Sequence, residues 1–412
     1  MDLSTEEHDL LSGGAGVALQ TAMEYQLQLG EFFGAKRFVP ISNAHFMGDF
    51  EVMDTGGVAF LESLAESGAT VQVPTTRNAT CVDPLAATQF KQRSELVQNE
   101  LRIGPLLRSL GILTVNTCIG YQTVYTPRLG ERVAWGDTGT VAYANSVLGA
   151  RTNYEAGPAS LFSALTGRTP EYGFQLAEHR RGNIHCRVEA ALDDWADWGA
   201  LGQIIGTRYR GYANIPVFEI DSAFANPDAL KHLGASLASY GSMAMFHAVG
   251  MTPEAPSVGA AIDGRQLLDT VVVTQQDIQD VYDDYDVADG AIDLAVFTAP
   301  QLSLTELQHL ATLIGDRRIH PGVEAIVTTN AMVGQAASAE GIANAFSRAG
   351  VTLVHGTCWY IMDPAEMQRQ FGWKRLVTNS AKLANIIKAH GYQPVLRRTD
   401  ECIEAAIAGK VI

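Results

Sequence analysis

The sequence predicts an α/β fold of mostly parallel sheets covered by helices on both faces, and three observations predict it. Short apolar runs alternate with longer amphipathic stretches, and such runs are what strands buried on both faces look like. The runs repeatedly end in loops rich in Thr, Asn and Cys, and in sheets of this kind ligands sit just past the carboxyl ends of the strands. Finally, 412 residues, 47% hydrophobic and 18% charged, exceed what one core supports, so two or three packed subdomains are expected.

Element by element, Ser4 or Thr5 ahead of Glu6 and Glu7 is a helix N-cap signal. Ala18, Leu19, Ala22, Met23, Leu27, Leu29 and Phe33 then recur at helical spacing up to Gly34. Residues 37–42 read as a strand, 56–68 as an amphipathic helix ending at glycine, and 70–74 as the next strand. A helix at 101–110 precedes a strand at 112–117. The rhythm returns with strand 292–298, helix 305–314, strand 324–328, helix 336–349, strand 351–354, helix 364–371, strand 375–377 and helix 381–390. Residues 251–257 are turn-rich and 277–289 strongly acidic, the mark of a solvated face. A boundary placed there divides the chain into an N-terminal α/β region, 1–250, and a C-terminal one, 251–412.

Lys and Arg total 29 against 45 Asp and Glu, a net charge of −16, and no basic stripe is present to displace counterions from a phosphate backbone, so nucleic acid is not an expected partner. No apolar run approaches the roughly 20 residues of a membrane span, and the acidic N-terminus is unlike a secretory signal, which predicts a cytoplasmic protein without a membrane partner. Five widely spaced cysteines read as free thiols rather than a disulfide framework. HExxH, Walker A, GxSxG and GxGxxG motifs are absent, which argues against zincin, nucleotide, serine-hydrolase and dinucleotide chemistries.

The informative residues cluster in four strand-end loops: 74–83, 116–122, 355–360 and 378–382. Two of them carry a Thr-Cys pair at the strand end, Thr117-Cys118 and Thr357-Cys358. A thiolate there is either a ligand for a soft metal, its charge offset by backbone N–H groups, or a small buried hydrophobe. Arg151, within 136–153, offers a planar fork for a carboxylate or phosphate, or else closes an internal salt bridge. Thr378, Asn379 and Ser380 ahead of Lys382 form either a small anion cradle or an N-cap. His45 is a candidate acid or base at a sheet edge, whereas His247, in an apolar run, reads as a hydrogen-bonded core residue.

In these loops the chain resembles aconitase X, a divergent branch of the aconitase superfamily, nearly end to end and in order. The matching residues are Gly16, Ala22, Met23, Gly30 and Ala35; Ala44, His45 and Gly48; Phe60, Leu61 and Glu62; Pro74, Thr75, Thr76, Asn78 and Asp83; and Thr117, Cys118 and Tyr121. They continue with ANSVLGARTN at 144–153, Gly157 and Pro158, TGRTPEYG at 166–173, Phe246, His247, Gly250, Thr252, Pro253 and Glu254, Thr357 and Cys358, and TNSAK at 378–382.

The resemblance implies an aconitase-like core of α/β/α subdomains lacking the swivelling domain, and a hydro-lyase that dehydrates a small hydroxy acid. The expected substrate is cis-3-hydroxy-L-proline; the alternatives are mevalonate 5-phosphate, or a cluster-free paralogue with an isomerase or ligand-binding role. It implies a separate small swivelling-domain subunit that supplies a catalytic serine. It further implies iron or an iron-sulfur cluster on Cys118 and Cys358, with Arg151, Asn153, Ser380 and Lys382 holding the substrate anion. His45, Asn78 and Lys382 form the catalytic set, and Thr75, Thr76, Asn145, Ser146, Ser242, Thr378 and Asn379 complete the binding set. One departure stands out: where the family reads Gly-Cys-Pro-His, this chain reads Thr298, Ala299, Pro300, Gln301. The usual third cysteine ligand is replaced by Ala299, leaving Cys81 as a candidate substitute or a plain small loop residue.

Overall fold

The computed structural model describes residues 1–286 and 290–411. The last residues of the acidic run, 287–289, lie outside the described residues; its earlier part forms the helix Gln275–Asp283. Strands β1 (Phe38–Pro40), β2 (Asn43–Phe46), β3 (Thr75–Arg77), β4 (Val133–Trp135) and β5 (Arg168–Pro170) belong to the first region. In it β3-β2-β4 form a parallel sheet and β1 pairs antiparallel with β5. Strands β6 (Ile184–Val188), β7 (Pro216–Ile220), β8 (His247–Ala248) and β9 (Asp269–Val273) form a second parallel sheet in the order β8-β7-β6-β9. It joins residues from both sides of position 250.

Strands β10 (Leu294–Phe297), β11 (Glu324–Thr329), β12 (Val351–His355), β13 (Arg375–Thr378) and β14 (Gln393–Leu396) form a third, in the order β12-β11-β10-β13-β14. All of its pairings are parallel. β10 is buried at every position, which is why it reads as an uninterrupted apolar run.

Several expected elements shift. The run 70–74 makes no strand: the Val71 N–H donates to the Leu110 carbonyl and that of Gln72 to Ala164, so these residues lie between helix ends and β3 forms just beyond them. The expected strand 112–117 is reduced to one bridge, Thr76 to Leu113, because Asn116 takes a left-handed φ of 51°, a conformation that Asn tolerates and that ends pairing. The expected helix 56–68 forms the later part of Phe50–Glu66, which is kinked at Asp54 with a left-handed φ of 52°; the short helical turn ahead of the kink is capped by Asp49, which accepts from the Val52 N–H at 3.1 Å. The expected helix 336–349 is two helices, Ala331–Ala339 and Ile342–Ala349, broken at Gly341 with φ 76°. His45 lies within β2, the central strand of its sheet, rather than at a sheet edge.

Candidate active site

A cavity lies where the first and third sheets point the carboxyl ends of their strands at one another. Met47 and Asp49 follow β2, Asn78 and Ala79 follow β3, and Asp137 follows β4. From the other side come Ala299 and Pro300 after β10, Cys358 and Tyr360 after β12, and Lys382 after β13, with Cys118 and Tyr121 completing the wall. The strand-end rule thus holds for six strands at once.

Gln301, fully buried, ties the two cysteine loops together. The Cys118 N–H donates to Gln301 Oε1 at 3.3 Å, and the Gln301 N–H donates to Cys118 Sγ at 3.3 Å. Gln301 Nε2 donates to the carbonyls of Asn116 at 3.2 Å and Thr357 at 3.0 Å. On the far side, Cys358 Sγ lies 3.7 Å from Thr298 Oγ1. Burial pushes the Cys118 thiol up to about 12, aided by Asp137 and Cys358 and opposed by the Gln301 N–H and Lys382. Burial also raises Cys358, against the pull of Lys382 and Thr298.

Asp137 and Lys382 share the cavity wall with these thiols and influence each other electrostatically. Asp137 caps the helix Thr138–Ser146, its Oδ2 accepting from the Thr140 N–H at 3.1 Å and hydroxyl at 2.8 Å. Burial alone would raise its pKa, but Lys382 and the hydroxyl and N–H of Thr140 hold it below the usual carboxylate value. For Lys382 burial pulls the pKa down, and Asp137, Cys358 and Cys118 more than offset it, so the ammonium stays charged. Lys382 Nζ also donates to Thr138 Oγ1 at 3.3 Å.

His45 stands one layer behind. Its Nδ1 lies 2.7 Å from Thr76 Oγ1 and its Nε2 3.4 Å from the Oδ1 of Asn78, which does line the cavity. Burial lowers its pKa, so it is a neutral imidazole that orients Asn78.

The structure therefore brings together Cys118, Cys358, Lys382 and Asn78, with His45 and Thr76 behind them. The other candidates lie outside the cavity wall. Arg151 Nη1 donates to the Gln175 carbonyl at 3.0 Å. Asn145 bonds both ways with Thr152 and donates to the Ala244 carbonyl, Ser146 Oγ accepts from the Phe246 N–H, and Asn153 donates to the Tyr172 carbonyl. Ser242 is an exposed residue at the end of the helix Pro227–Gly241. Thr75 donates to the Val73 carbonyl and Asn379 to Thr399. Ser380 caps the helix Ala381–Ile386, its hydroxyl donating to the Ala299 carbonyl at 2.7 Å, while Thr378 accepts from the Ser380 N–H. The TNS stretch is thus an N-cap that delivers Lys382. His247 bonds the Arg180 carbonyl, buried as expected.

Sequence reasoning passed over Asp49, Asp137 and Gln301. The first two left a signal, an acid immediately after a strand and three residues ahead of a helical N–H, which is the N-cap pattern. Gln301 left none beyond its place in the departing Thr298 to Gln301 stretch.

The donor set can be weighed against the implied metal. Cys118 and Cys358 share the cavity, but the third position is the buried methyl of Ala299. Cys81 does not line the wall; its thiol donates to Glu100 Oε2 at 3.1 Å within the buried Arg77–Glu100 ion pair. Among the described residues no group of three His, Cys, Asp or Glu is placed to hold a metal ion. A three-thiolate cluster does not fit these residues, whereas two thiols with open positions fit iron completed by other ligands.

Three models for the aconitase X family match the chain in order: first domain at 1–178, second at 182–283 and third at 292–408. A relative named phosphomevalonate dehydratase large subunit, from Methanothermobacter thermautotrophicus, is 34% identical over 386 residues, 93% of each chain. The cis-3-hydroxy-L-proline dehydratase of Pseudomonas aeruginosa is 34% identical over 415 residues, covering 99% of this chain and 70% of the relative. The crystal structure of Thermococcus kodakaraensis aconitase X in its holo-form superposes with a TM-score of 0.89 at 29% identity, covering 98% of this chain and 100% of that one. With a shared fold, all three domains in sequence and relatives matching along almost the whole length, this chain belongs to the aconitase X family of dehydratases.

Proposed function

We propose that the chain is the active-site-bearing large subunit of a hydro-lyase that removes water from cis-3-hydroxy-L-proline. The observation that carries the substrate choice is the charge inventory of the cavity: among the described residues on its wall the one cation, Lys382, is balanced by the ionised Asp137, and there is no arginine. A zwitterion matches that inventory, its carboxylate toward Lys382 and its ring ammonium toward Asp137. A phosphate dianion would enter a site with no surplus positive charge, and Arg151 lies off its wall, its Nη1 donating to the Gln175 carbonyl.

Dehydration needs the C–H and C–O bonds held in place, a proton taken from carbon, and charge on the departing oxygen neutralised. Lys382 and Asp137 fix both ends of the amino acid, Asn78 adds a neutral polar contact oriented by His45, and Tyr121 and Tyr360 narrow the space for water. Cys118 and Cys358 are the residues that would hold iron, which when bound supplies a Lewis acid for the hydroxyl. The proton on carbon goes to a serine of a small subunit. A two-subunit assembly is supported by the words "large subunit" in the relatives' names, and by the greater length of the Pseudomonas relative.

Mevalonate 5-phosphate remains the second reading, favoured by relatives of that name matching at near-equal length. Among the described residues no helix is long and apolar enough to cross a membrane, and a cytoplasmic enzyme is part of the proposal. Turnover of both substrates by the two-subunit complex, with inorganic phosphate as competitor, tests it: hydroxyproline turnover indifferent to phosphate is expected, and phosphate competition supports the second reading instead.

A further inference from the structure

Asp49 is 1% exposed, lines the same cavity as Lys382 and the two thiols, and follows the carboxyl end of β2. Its Oδ1 is used, accepting from the Val52 N–H at 3.1 Å. Its Oδ2 is buried without a hydrogen-bond partner among the described residues. A carboxylate needed only as a helix cap can leave its spare oxygen in water. Ionised and orphaned in a buried wall, that oxygen is costly; protonated, it becomes a donor free to serve an acceptor brought into the cavity.

The neighbours favour the protonated form. Glu100, from the helix Ser94–Ser109, is paired with Arg77 and faces Asp49, while Glu51 adds a like charge from its own helix. Burial first, then Glu100, push the Asp49 carboxyl up to about 7, against the Val52 N–H and Arg77. The remaining wall groups are poor donors: Asp137 is held ionised, and the Cys118 thiol and the phenols of Tyr121 and Tyr360 keep their protons more tightly than usual.

Resting on the hydro-lyase reading above, we propose that Asp49 is the catalytic proton donor to the departing hydroxyl. The C–O bond breaks with its electron pair on oxygen, and the proton of Asp49 Oδ2 joins that oxygen to form water. The adjacent C–H pair becomes the new C=C bond as its proton passes to the small subunit's serine. Asp49 is left ionised, and reprotonation from solvent restores it.

The test uses the two-subunit enzyme with Asp49→Asn, which keeps the helix cap because Asn caps as well as Asp but carries no acidic proton. Asp49→Ser, which also caps, guards against an effect peculiar to the amide. On cis-3-hydroxy-L-proline both variants should lose about 100-fold or more in kcat with KM little changed. On the 3-chloro analogue, whose chloride leaves without a proton, both should match the wild type. Equal losses on the two substrates, or no loss on the hydroxy acid, overturn the assignment. A wild-type enzyme that dehydrates no hydroxy acid is a different result, which removes the hydro-lyase reading and this role together.

Discussion

Lys382 and Asp137 favour each other's charged form on the cavity wall, and the carboxylate and ammonium there would meet opposite ends of a zwitterion. Lys382→Met should therefore lower kcat/KM for the amino acid by roughly 100-fold, a loss typical of removing one charged contact to the reacting anion. Steady-state kinetics of the assembled enzyme check this. Arg151→Ala should change kcat/KM by less than about twofold, because its guanidinium bonds the Gln175 carbonyl outside the cavity wall. A large rise in KM would return Arg151 to the substrate.

Glu155 makes a pH prediction. It is fully buried, accepts from Thr169 Oγ1 at 3.2 Å, and its Oε2 has no partner among the described residues. Burial pushes its pKa up to about 7, against the hydroxyl of Thr169 and the amide of Asn153. A folded-state pKa above the unfolded value favours folding at low pH, so this contribution is complete below about pH 4.5 and is lost as pH rises through about 7. The shift corresponds to about 3 kcal/mol. Glu155→Gln should match the wild type in melting temperature near pH 4.5 and exceed it at pH 8. Parallel melting profiles across that range would contradict the assignment.

At the scale of elements, Gln301 joins segments nearly two hundred positions apart in sequence. Gln301→Ala strips partners from the Cys118 and Asn116 loop and from Thr357, and should cost about 2–4 kcal/mol by denaturant titration. The helices Trp195–Arg208 and Pro227–Gly241 touch through glycine: a Cβ on Gly241 would stand 2.8 Å from the Gly206 backbone. Gly241→Ala should force the pair apart and lower the melting temperature by several degrees.

The same elements show what the sequence made legible. The alternation after residue 290 is readable because the third sheet is parallel and buried, so strands are apolar runs and helices carry one apolar face. The helix Trp195–Arg208 escaped because residues 195–202 are all buried, and a segment buried all round has no amphipathic period. In the candidate site, the loops of Cys358 and Lys382 were legible because they follow strands β12 and β13, whereas the loop of Cys118 follows a single bridge at Leu113. For Arg151 the sequence declares what a guanidinium fork can bind and not where the chain points it, and its Nη1 meets the Gln175 carbonyl away from this cavity. Asp49 and Asp137 escaped because a capping carboxylate looks the same in sequence whether or not its second oxygen faces a cavity.

For the whole molecule, two sheets with facing carboxyl ends create a site that neither supports alone. Each sheet brings part of the chemistry: acids and amide from the first, thiol and ammonium from the third. This is why the cavity recruits residues from Met47 to Lys382, and why a small subunit docking over it would complete it rather than create it. The central claim is that this shared cavity dehydrates a zwitterionic hydroxy acid. The most direct measurement is product formation from cis-3-hydroxy-L-proline by the purified two-subunit complex, with and without Lys382→Met. Loss of water by the wild type that the substitution abolishes is the predicted result; no dehydration by the wild type, or full activity in the variant, would contradict it.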